Sequence, residues 1–168
     1  MDIHQLRADY DGSCDIGVET SEKSCMRLLS LVALVLLMAS CSTEPEPLIY
    51  GKDQCEFCKM TLMDNHFGAE LVTHTGKVHK FDDIRCLLDF YHQGENPHEQ
   101  YAHRLVVDYN HPGQLISALD AYYIKADTLR APMDSKLAAF STEEDMRAFK
   151  KRWSGIYMAW GEVVAQFK

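Results

Sequence analysis

The apolar positions after residue 48 switch between β-strand and helical spacing, and they predict a unit of strand, strand, helix and strand. Residues 67–75 are rich in apolar and β-prone side chains, Gly76 interrupts them, and residues 78–81 predict the returning strand of a hairpin. The acidic pair at 82–83 is typical of a helix start. The apolar positions of that helix are Ile84, Leu87, Leu88 and Tyr91. Residues 104–109 predict a third strand, which completes the unit.

The same order of elements recurs in the second half of the chain. Residues 121–126 and 136–140 predict two strands, and Ser141 with Glu144 has the spacing of a capping box at a helix start. Residues 156–160 predict a last strand, followed by a short tail helix. Aligned, the halves pair Lys77 with Lys136, Val78 with Leu137, Phe81 with Phe140 and Phe90 with Phe149. This self-similarity predicts an α+β fold of two similar ββαβ lobes, with chance matching of two β–α units as the alternative.

A segment before these lobes has the pattern of a bacterial lipoprotein signal peptide, which we assign to residues 26–40. Arg27 precedes an apolar run at 28–37, which is shorter than the ~20 residues that a membrane-spanning helix needs. Small residues then lead to Cys41, and a cysteine at this junction resembles a lipobox, whose cysteine is acylated and becomes the mature N-terminus. The alternative is an ordinary signal peptide in which Cys41 has no role. We predict lipidation of Cys41.

We assign the remaining segments of the chain from their composition. Residues 1–25 are polar and rich in acidic side chains, the opposite of the basic start that export requires, so we predict a non-native extension with translation starting at Met26. A long but genuine leader is the alternative. Residues 41–48 contain two prolines and two glutamates and predict a hydrated tether. The first lobe is then expected at 49–109 and the second at 110–168.

Charge, cysteine content and the lack of catalytic motifs argue against several classes of protein. The formal net charge of −8 gives no basic footprint for nucleic acid, which we exclude as a partner. Of six cysteines, Cys14 and Cys25 precede the signal peptide, and acylation of Cys41 would leave three. An odd number of thiols in an oxidising compartment argues against a pure disulfide framework. No catalytic triad, glycine-rich phosphate loop or His-Glu-x-x-His sequence is visible, so we predict that the protein is not an enzyme.

The strongest candidate chemistry lies in the run Cys-Glu-Phe-Cys-Lys-Met-Thr-Leu-Met, which begins at Cys55. Cys55 and Cys58 have the spacing of half a zinc site, a redox dithiol or a soft-metal site. Met60 follows closely, and a thioether is soft and uncharged, so it suits Cu(I) far better than Zn(II). The alternative is that Met60 and Met63 fill the core, because methionine packs well into irregular gaps.

Three stretches together resemble the NosL family, the copper-binding accessory lipoproteins of nitrous oxide reductase maturation. They are Tyr50-Gly51-Lys52-Asp53 leading into Cys-x-x-Cys-x-Met, Phe81-Asp82-Asp83-Ile84, and Pro132-Met133 before Leu137-Ala138-Ala139-Phe140. The likeness covers nearly all of the chain after the signal peptide. In the family a glycine usually follows the methionine of the Pro-Met motif, whereas Asp134 stands there in this chain. The family's fold of two similar ββαβ lobes agrees with the repeat.

The resemblance implies a Cu(I) chaperone that faces the periplasm and is held at the membrane by an N-terminal lipid such as palmitate. It also implies nitrous oxide reductase and its membrane ABC-type maturation complex as partners, and hence a role in denitrification. Cys58 and Met133 are the first candidates for copper ligands, followed by Cys55 and Met60. Met133 belongs to the second lobe and would close the site across the two lobes, with core packing beside Pro132 as its alternative role.

Weaker candidates and rival functions remain open. His79 is a possible metal ligand or a surface histidine, and Cys86 is a possible ligand or a buried, inert thiol. The rival function is a lipid-anchored periplasmic thiol-disulfide oxidoreductase that uses Cys55 and Cys58, although such enzymes usually place this motif at the start of a helix. A structural zinc site made of Cys55, Cys58 and Cys86 is a third hypothesis, and it lacks an evident fourth ligand.

Overall fold

The structure is a computed structural model, and it describes residues 43–93 and 101–167. The predicted extension at 1–25, the signal peptide at 26–40 and the lipidated Cys41 lie outside the described residues. Within the described ranges, none of the helices is both long enough and apolar enough to cross a membrane.

The first lobe is built on a four-stranded antiparallel sheet with the strand order β2-β1-β3-β4. Its strands are β1 (Ala69–Thr73), β2 (Val78–Phe81), β3 (Tyr101–Val107) and β4 (Leu115–Ser117). Helix α1 (Ile84–Gln93) connects β2 to β3 and packs against β1 and β2. The predicted helical positions are all buried in the core of this lobe: Ile84, Leu87, Leu88 and Tyr91. The hairpin and helix expected from the sequence are confirmed, whereas β4 was not predicted.

The second lobe has a three-stranded antiparallel sheet with the order β6-β5-β7. Its strands are β5 (Tyr122–Lys125), β6 (Leu137–Phe140) and β7 (Ile156–Met158). Helix α2 (Glu143–Trp153) joins β6 to β7, and the short tail helix α3 (Trp160–Gln166) follows β7. The ββαβ order is therefore present in both lobes, and the predicted α+β fold is confirmed.

The start of α2 differs from the prediction by one residue. Thr142 is the N-cap, because its Oγ1 accepts the N–H of Asp145 at 3.1 Å while its own backbone is extended. Ser141, the predicted cap, instead donates its hydroxyl to the buried Asp108 at 2.5 Å. The prediction of Ser141 as cap is wrong because a carboxylate from the end of β3 engages this hydroxyl, which the local spacing does not reveal.

The two sheets meet where β3 ends beside β6. Asp108 forms a parallel bridge with Ala139, and the N–H of Tyr109 donates to the carbonyl of Ala139 at 2.8 Å. The ring of Tyr109 packs against Phe140 and Phe149 with centroids 5.9 and 5.3 Å away. Of the two hydrophobic clusters among the described residues, the larger one takes buried side chains from both lobes, so the lobes share part of their core.

Candidate metal site

A short hairpin presents the two cysteines of the Cys-x-x-Cys motif. Gln54 and Thr61 form an antiparallel bridge, and between them the N–H of Cys55 donates to the carbonyl of Met60 at 2.8 Å. Lys59 turns the chain with a positive φ of 62°, and its N–H donates to the carbonyl of Cys55 at 3.0 Å. This turn folds residues 56–58 back over the sulfur of Cys55.

The hairpin is fastened to the first lobe through β2. The N–H of Glu56 donates to the carbonyl of Lys80 at 2.7 Å. Lys80 in turn reaches back with its ammonium group to the carboxylate of Asp53 at 2.9 Å, just before the motif. The motif therefore has a fixed position over the junction between β2 and α1.

Three thiols and one carboxylate converge at that junction. The sulfurs of Cys55, Cys58 and Cys86 and a carboxylate oxygen of Asp82 all lie within 4.8 Å of one another. Cys55 and Cys86 are completely buried, whereas Cys58 is half-buried and leaves the cluster open on one side. The Cys58 thiol lies 3.6 Å from Oδ1 of Asp82. These four residues come from the hairpin, the end of β2 and the first turn of α1, so the fold assembles a compact donor set.

Hydrogen bonds within this cluster favour the thiolate form of one cysteine. The pKa of Cys55 is lowered to about 6, chiefly because its sulfur accepts a hydrogen bond from the Cys86 thiol. Burial opposes that shift, and the amides of Asp82, Cys58 and Phe57 support it. The pKa of Cys86 is raised because its proton is held against the sulfur of Cys55. Thiolates rather than thiols bind metals, so Cys55 is already in the form that can bind a metal ion. A metal ion that binds to the other thiols must displace their protons.

The third thiol has a different environment. Burial raises the pKa of Cys58, and the neighbouring Cys55 sulfur and Asp82 charge raise it further. The amide of Met60 donates to the Cys58 sulfur and partly offsets these effects. Cys58 is thus protonated more readily than Cys55 and lies at the open side of the cluster.

The methionines near the motif do not share one environment. Met60 is 46% exposed and Met63 is 73% exposed, so the alternative that they fill the core is wrong. Both lie on the outer part of the hairpin, where no core reaches them. Met133 is half-buried and packs against the hydrophobic cluster that also contains Cys55 and Cys58. The structure therefore brings Met133 of the second lobe to the same core region as the thiols.

Asp83 ties the loop of Met133 to the start of α1. Its Oδ1 accepts the N–H of Arg85 at 3.0 Å, and its Oδ2 accepts the N–H of Met133 at 2.9 Å. Ser135 also hydrogen-bonds to this completely buried carboxylate. Asp134 has a positive φ of 55°, a conformation that glycine favours and that aspartate tolerates better than most residues. The aspartate in place of the family's usual glycine is therefore compatible with this loop.

His79 has an environment different from that of the four donor residues. It is buried, its ring packs on Phe90 with centroids 4.9 Å apart, and its Nδ1 lies 3.9 Å from a carboxylate oxygen of Glu56. Burial lowers its pKa, which favours the neutral ring. It is not a member of the four-residue group. The expectation of a surface histidine is wrong, because α1 packs on β2 and places Phe90 against this ring.

Sequence reasoning did not include Asp82 among the candidate ligands. Asp82 was expected only as a helix-start residue, and Cys86 as a weaker metal candidate with an inert, buried thiol as its alternative. A usable signal was present, because Asp82 lies just before the predicted helix and Cys86 in its first turn, so the two residues are close in the chain. What this closeness does not show is that the Cys55 hairpin lies over both residues.

Three comparisons with known proteins agree with this architecture. The family model described as NosL matches residues 48–167. The copper-binding lipoprotein NosL of Stutzerimonas stutzeri is 28% identical over 125 residues, a match that covers 70% of this chain and 66% of that protein. The chain thus spans slightly less than two thirds of the length of this relative. The crystal structure of the copper chaperone NosL from Shewanella denitrificans matches with a TM-score of 0.61 at 23% identity, over 72% of this chain and 96% of that chain, and it supports the fold.

Proposed function

The chain belongs to the NosL family, and from this we propose that it is a membrane-anchored, extracytoplasmic Cu(I)-binding chaperone that supplies copper for nitrous oxide reductase maturation. The observation that carries the proposal is the convergence of Cys55, Cys58 and Cys86 within 4.8 Å. Soft thiolate sulfurs favour Cu(I), zinc and iron–sulfur clusters over harder cations, and an additional thioether suits Cu(I) far better than Zn(II). Relatives named as a copper-binding lipoprotein and a copper chaperone support the same role.

The burial of the sulfurs suits a protein that holds copper and then releases it. Cys55 and Cys86 are completely buried and would shield the ion from solvent, whereas Cys58 lies at the open side, where the ion must enter. Met60 is exposed directly beyond Cys58, and Met133 approaches from the second lobe. Cu(I) with few ligands can accept an incoming sulfur before it loses an old one. We therefore assign capture and exchange of the ion to Cys58 with the two thioethers, and its shielding to the buried thiols.

The anchoring and the partners are also part of the proposal. Cys41 would carry the lipid and place the domain at the outer side of the membrane, facing the periplasm. A chaperone tethered there can meet a membrane ABC-type maturation complex without diffusing away. The client would be nitrous oxide reductase, whose copper centres must be filled outside the cytoplasm. The name of the relative from Stutzerimonas stutzeri, a copper-binding lipoprotein, supports the anchor.

A zinc site is the second candidate, because Asp82 supplies the fourth donor that the sequence lacked. Zn(II) commonly takes four ligands from thiolates, imidazoles and carboxylates. Copper is favoured because Met60 follows Cys58 by two residues, Met133 packs against the same hydrophobic cluster as Cys55 and Cys58, and a thioether adds little to a zinc site. Thiol–disulfide exchange is disfavoured, because Cys55 carries the lowered pKa but is completely buried and cannot reach a substrate disulfide.

Competition titration tests the proposal. The reduced full chain is titrated with Cu(I) against a coloured Cu(I) chelator, with and without excess Zn(II). We expect one tightly held Cu(I) per chain that zinc does not displace. Equal competition by zinc would favour the structural zinc site, and turnover of a disulfide substrate without copper retention would favour the oxidoreductase.

A further inference from the structure

We propose that the end of α2 and the strand after it form a surface that docks on the headgroups of an anionic phospholipid bilayer. We call this surface the basic–aromatic face, and its residues are Lys150, Lys151, Arg152, Trp153, Ile156 and Tyr157. The inference goes beyond copper binding. It rests on the proposed lipid anchor only in that the anchor keeps the domain beside a bilayer.

The face exposes large apolar side chains that the second lobe does not cover. Trp153 is 50% exposed, Ile156 is 70% exposed and Tyr157 is 44% exposed. Ile156 and Tyr157 belong to β7, one of the two edge strands of its sheet among the described strands, and they are exposed on its two sides. Tryptophan and tyrosine are the residues enriched where a membrane meets water, because their rings are apolar and their tips are polar.

The face carries more basic residues than the chain as a whole, and the exposed Asp127 lines a cavity together with Trp153 and Ile156. The whole chain carries a net charge of −8, yet three consecutive basic residues, 150–152, are exposed in the last turn of α2. Cations at a helix C-terminus also complement the helix dipole, which is the simpler explanation of the charges alone. That explanation does not account for Trp153 and Ile156 beside them. Basic residues next to exposed aromatic and aliphatic ones have the composition of a surface for anionic lipid.

The bend that carries the face is held firmly against the sheet. Gly155 has a φ of 127°, and a Cβ there would lie 2.6 Å from Cγ2 of Ile124 and 2.7 Å from the carbonyl oxygen of Lys125. The N–H of Ser154 donates to the carbonyl of Lys150 at 2.9 Å and closes the helix. Trp153 and Ile156 therefore project from either side of a close-packed turn, so little ordering is needed when they enter an interface.

The tether keeps the domain close to the bilayer. Cys41 precedes Leu48 by seven residues, which reach at most roughly 25 Å when fully extended. An anchor at Cys41 would thus hold the domain beside the headgroups that the basic–aromatic face is proposed to contact.

Quenching of tryptophan fluorescence tests the docking. The full chain is reconstituted through its own anchor into vesicles that contain brominated phosphatidylcholine, either alone or mixed with phosphatidylglycerol. The chain has two tryptophans, so the signal of Trp153 is the part that disappears in Trp153→Phe. We expect strong quenching of Trp153 in the anionic vesicles, weak quenching in the neutral ones, and a decrease as salt is raised.

Two triple variants with the same change in net charge decide the role of the basic residues. Lys150→Gln, Lys151→Gln and Arg152→Gln together should reduce quenching in anionic vesicles to the level of neutral vesicles. The matched control changes three exposed cations elsewhere to glutamine and should leave quenching unchanged: Lys52, Lys77 and Arg147. Because all these positions are exposed, both variants should fold.

Three outcomes would overturn the inference: no quenching of Trp153 in anionic vesicles, equal quenching in neutral vesicles, or equal loss in the control variant. Protection of Trp153 from iodide only in native membranes, and not in vesicles, would instead indicate a protein partner and would also overturn it. Cu(I) binding measured on the same samples is expected to be unchanged. A failure of copper binding with quenching intact would therefore count against the proposed function alone.

Discussion

In the first lobe the junction between β2 and α1 brings Asp82 and Cys86 to the Cys55 hairpin, whereas in the second lobe the hydroxyls at the junction between β6 and α2 donate to carboxylates. The internal alignment places Asp82, Asp83 and Cys86 opposite Ser141, Thr142 and Asp145. Asp83 and Thr142 both accept a backbone N–H at the start of their helices. The two junctions therefore share the same type of helix cap.

The neighbouring positions differ in what they contact. In the second lobe Ser141 donates to Asp108 and Thr142 donates to Asp145, each at 2.5 Å, so these polar groups are satisfied within the protein. In the first lobe Asp82 and Cys86 face two further sulfurs. The comparison teaches that repeating a fold unit does not repeat a site. What the first lobe has in addition is the hairpin of residues 54–61 lying over its junction.

The largest effect is expected from removing a thiol that only the first lobe has. Cys58→Ser should weaken Cu(I) binding by more than about 100-fold, since loss of a group that merely supports a ligand already costs ~10–100-fold. Chelator competition measures the change. Circular dichroism should remain as in the parent, because Cys58 is half-buried. Unchanged copper affinity would place the site away from the hairpin.

The two helix caps offer the next test. Asp83→Ala should lower the free energy of unfolding by about 3 kcal/mol, since the buried N–H of Met133 and that of Arg85 lose their acceptor. Thr142→Ala, the equivalent change in the second lobe, should cost about 1 kcal/mol as the loss of an ordinary cap. Urea unfolding of both variants gives the comparison. Equal costs would show that Asp83 is only a helix cap.

Matched serine substitutions at aligned positions sharpen the difference between the junctions. Cys86→Ser should weaken Cu(I) binding by roughly tenfold, comparable to the loss of a supporting group, because a hard hydroxyl replaces a soft sulfur. Asp145→Ser should leave copper binding unchanged, because Asp145 accepts hydrogen bonds from Thr142 and Asn110 and is not part of the thiol cluster. Competition titration of the two purified variants is the measurement. Equal effects on affinity would contradict a site confined to the first junction and its neighbours.

The smallest effect is expected from the thioether that the second lobe contributes. Met133→Leu should weaken Cu(I) binding several-fold and change the unfolding free energy by less than about 1.5 kcal/mol, because the two side chains have similar volume. Met63→Leu is the control, since Met63 is highly exposed and we give it no role in the site. Weaker binding in Met63→Leu with normal binding in Met133→Leu would reverse our assignment of the thioether.

The fold was predictable because its signals are local. The helical spacing of Ile84, Leu87, Leu88 and Tyr91 and the turn at Gly76 define the first unit, and the internal repeat supplies the second. β4 was missed because three half-buried residues, Leu115–Ser117, carry too short a pattern for a prediction.

The candidate site was predictable only in part. Cys55 and Cys58 are adjacent in the chain, and their meeting needs no knowledge of the fold. The convergence of Asp82 and Cys86 with them depends on the hydrogen bond between Glu56 and Lys80, which docks the hairpin on β2. The burial of His79 and the exposure of Met63 likewise depend on which surfaces meet, and alternation along a strand does not reveal this.

The hydrogen bond from Met133 to Asp83 joins residues that are 50 positions apart, and this separation has a consequence for how the chain matures. Contacts between near residues form sooner than contacts across long loops, because loop closure costs entropy. The thiols of the first lobe can gather early, whereas Met133 takes its place only after the second lobe has docked. If copper binds as proposed, a chain caught before that step would hold the ion through sulfurs of one lobe only. Complete coordination would then act as a checkpoint that distinguishes finished molecules from those still folding.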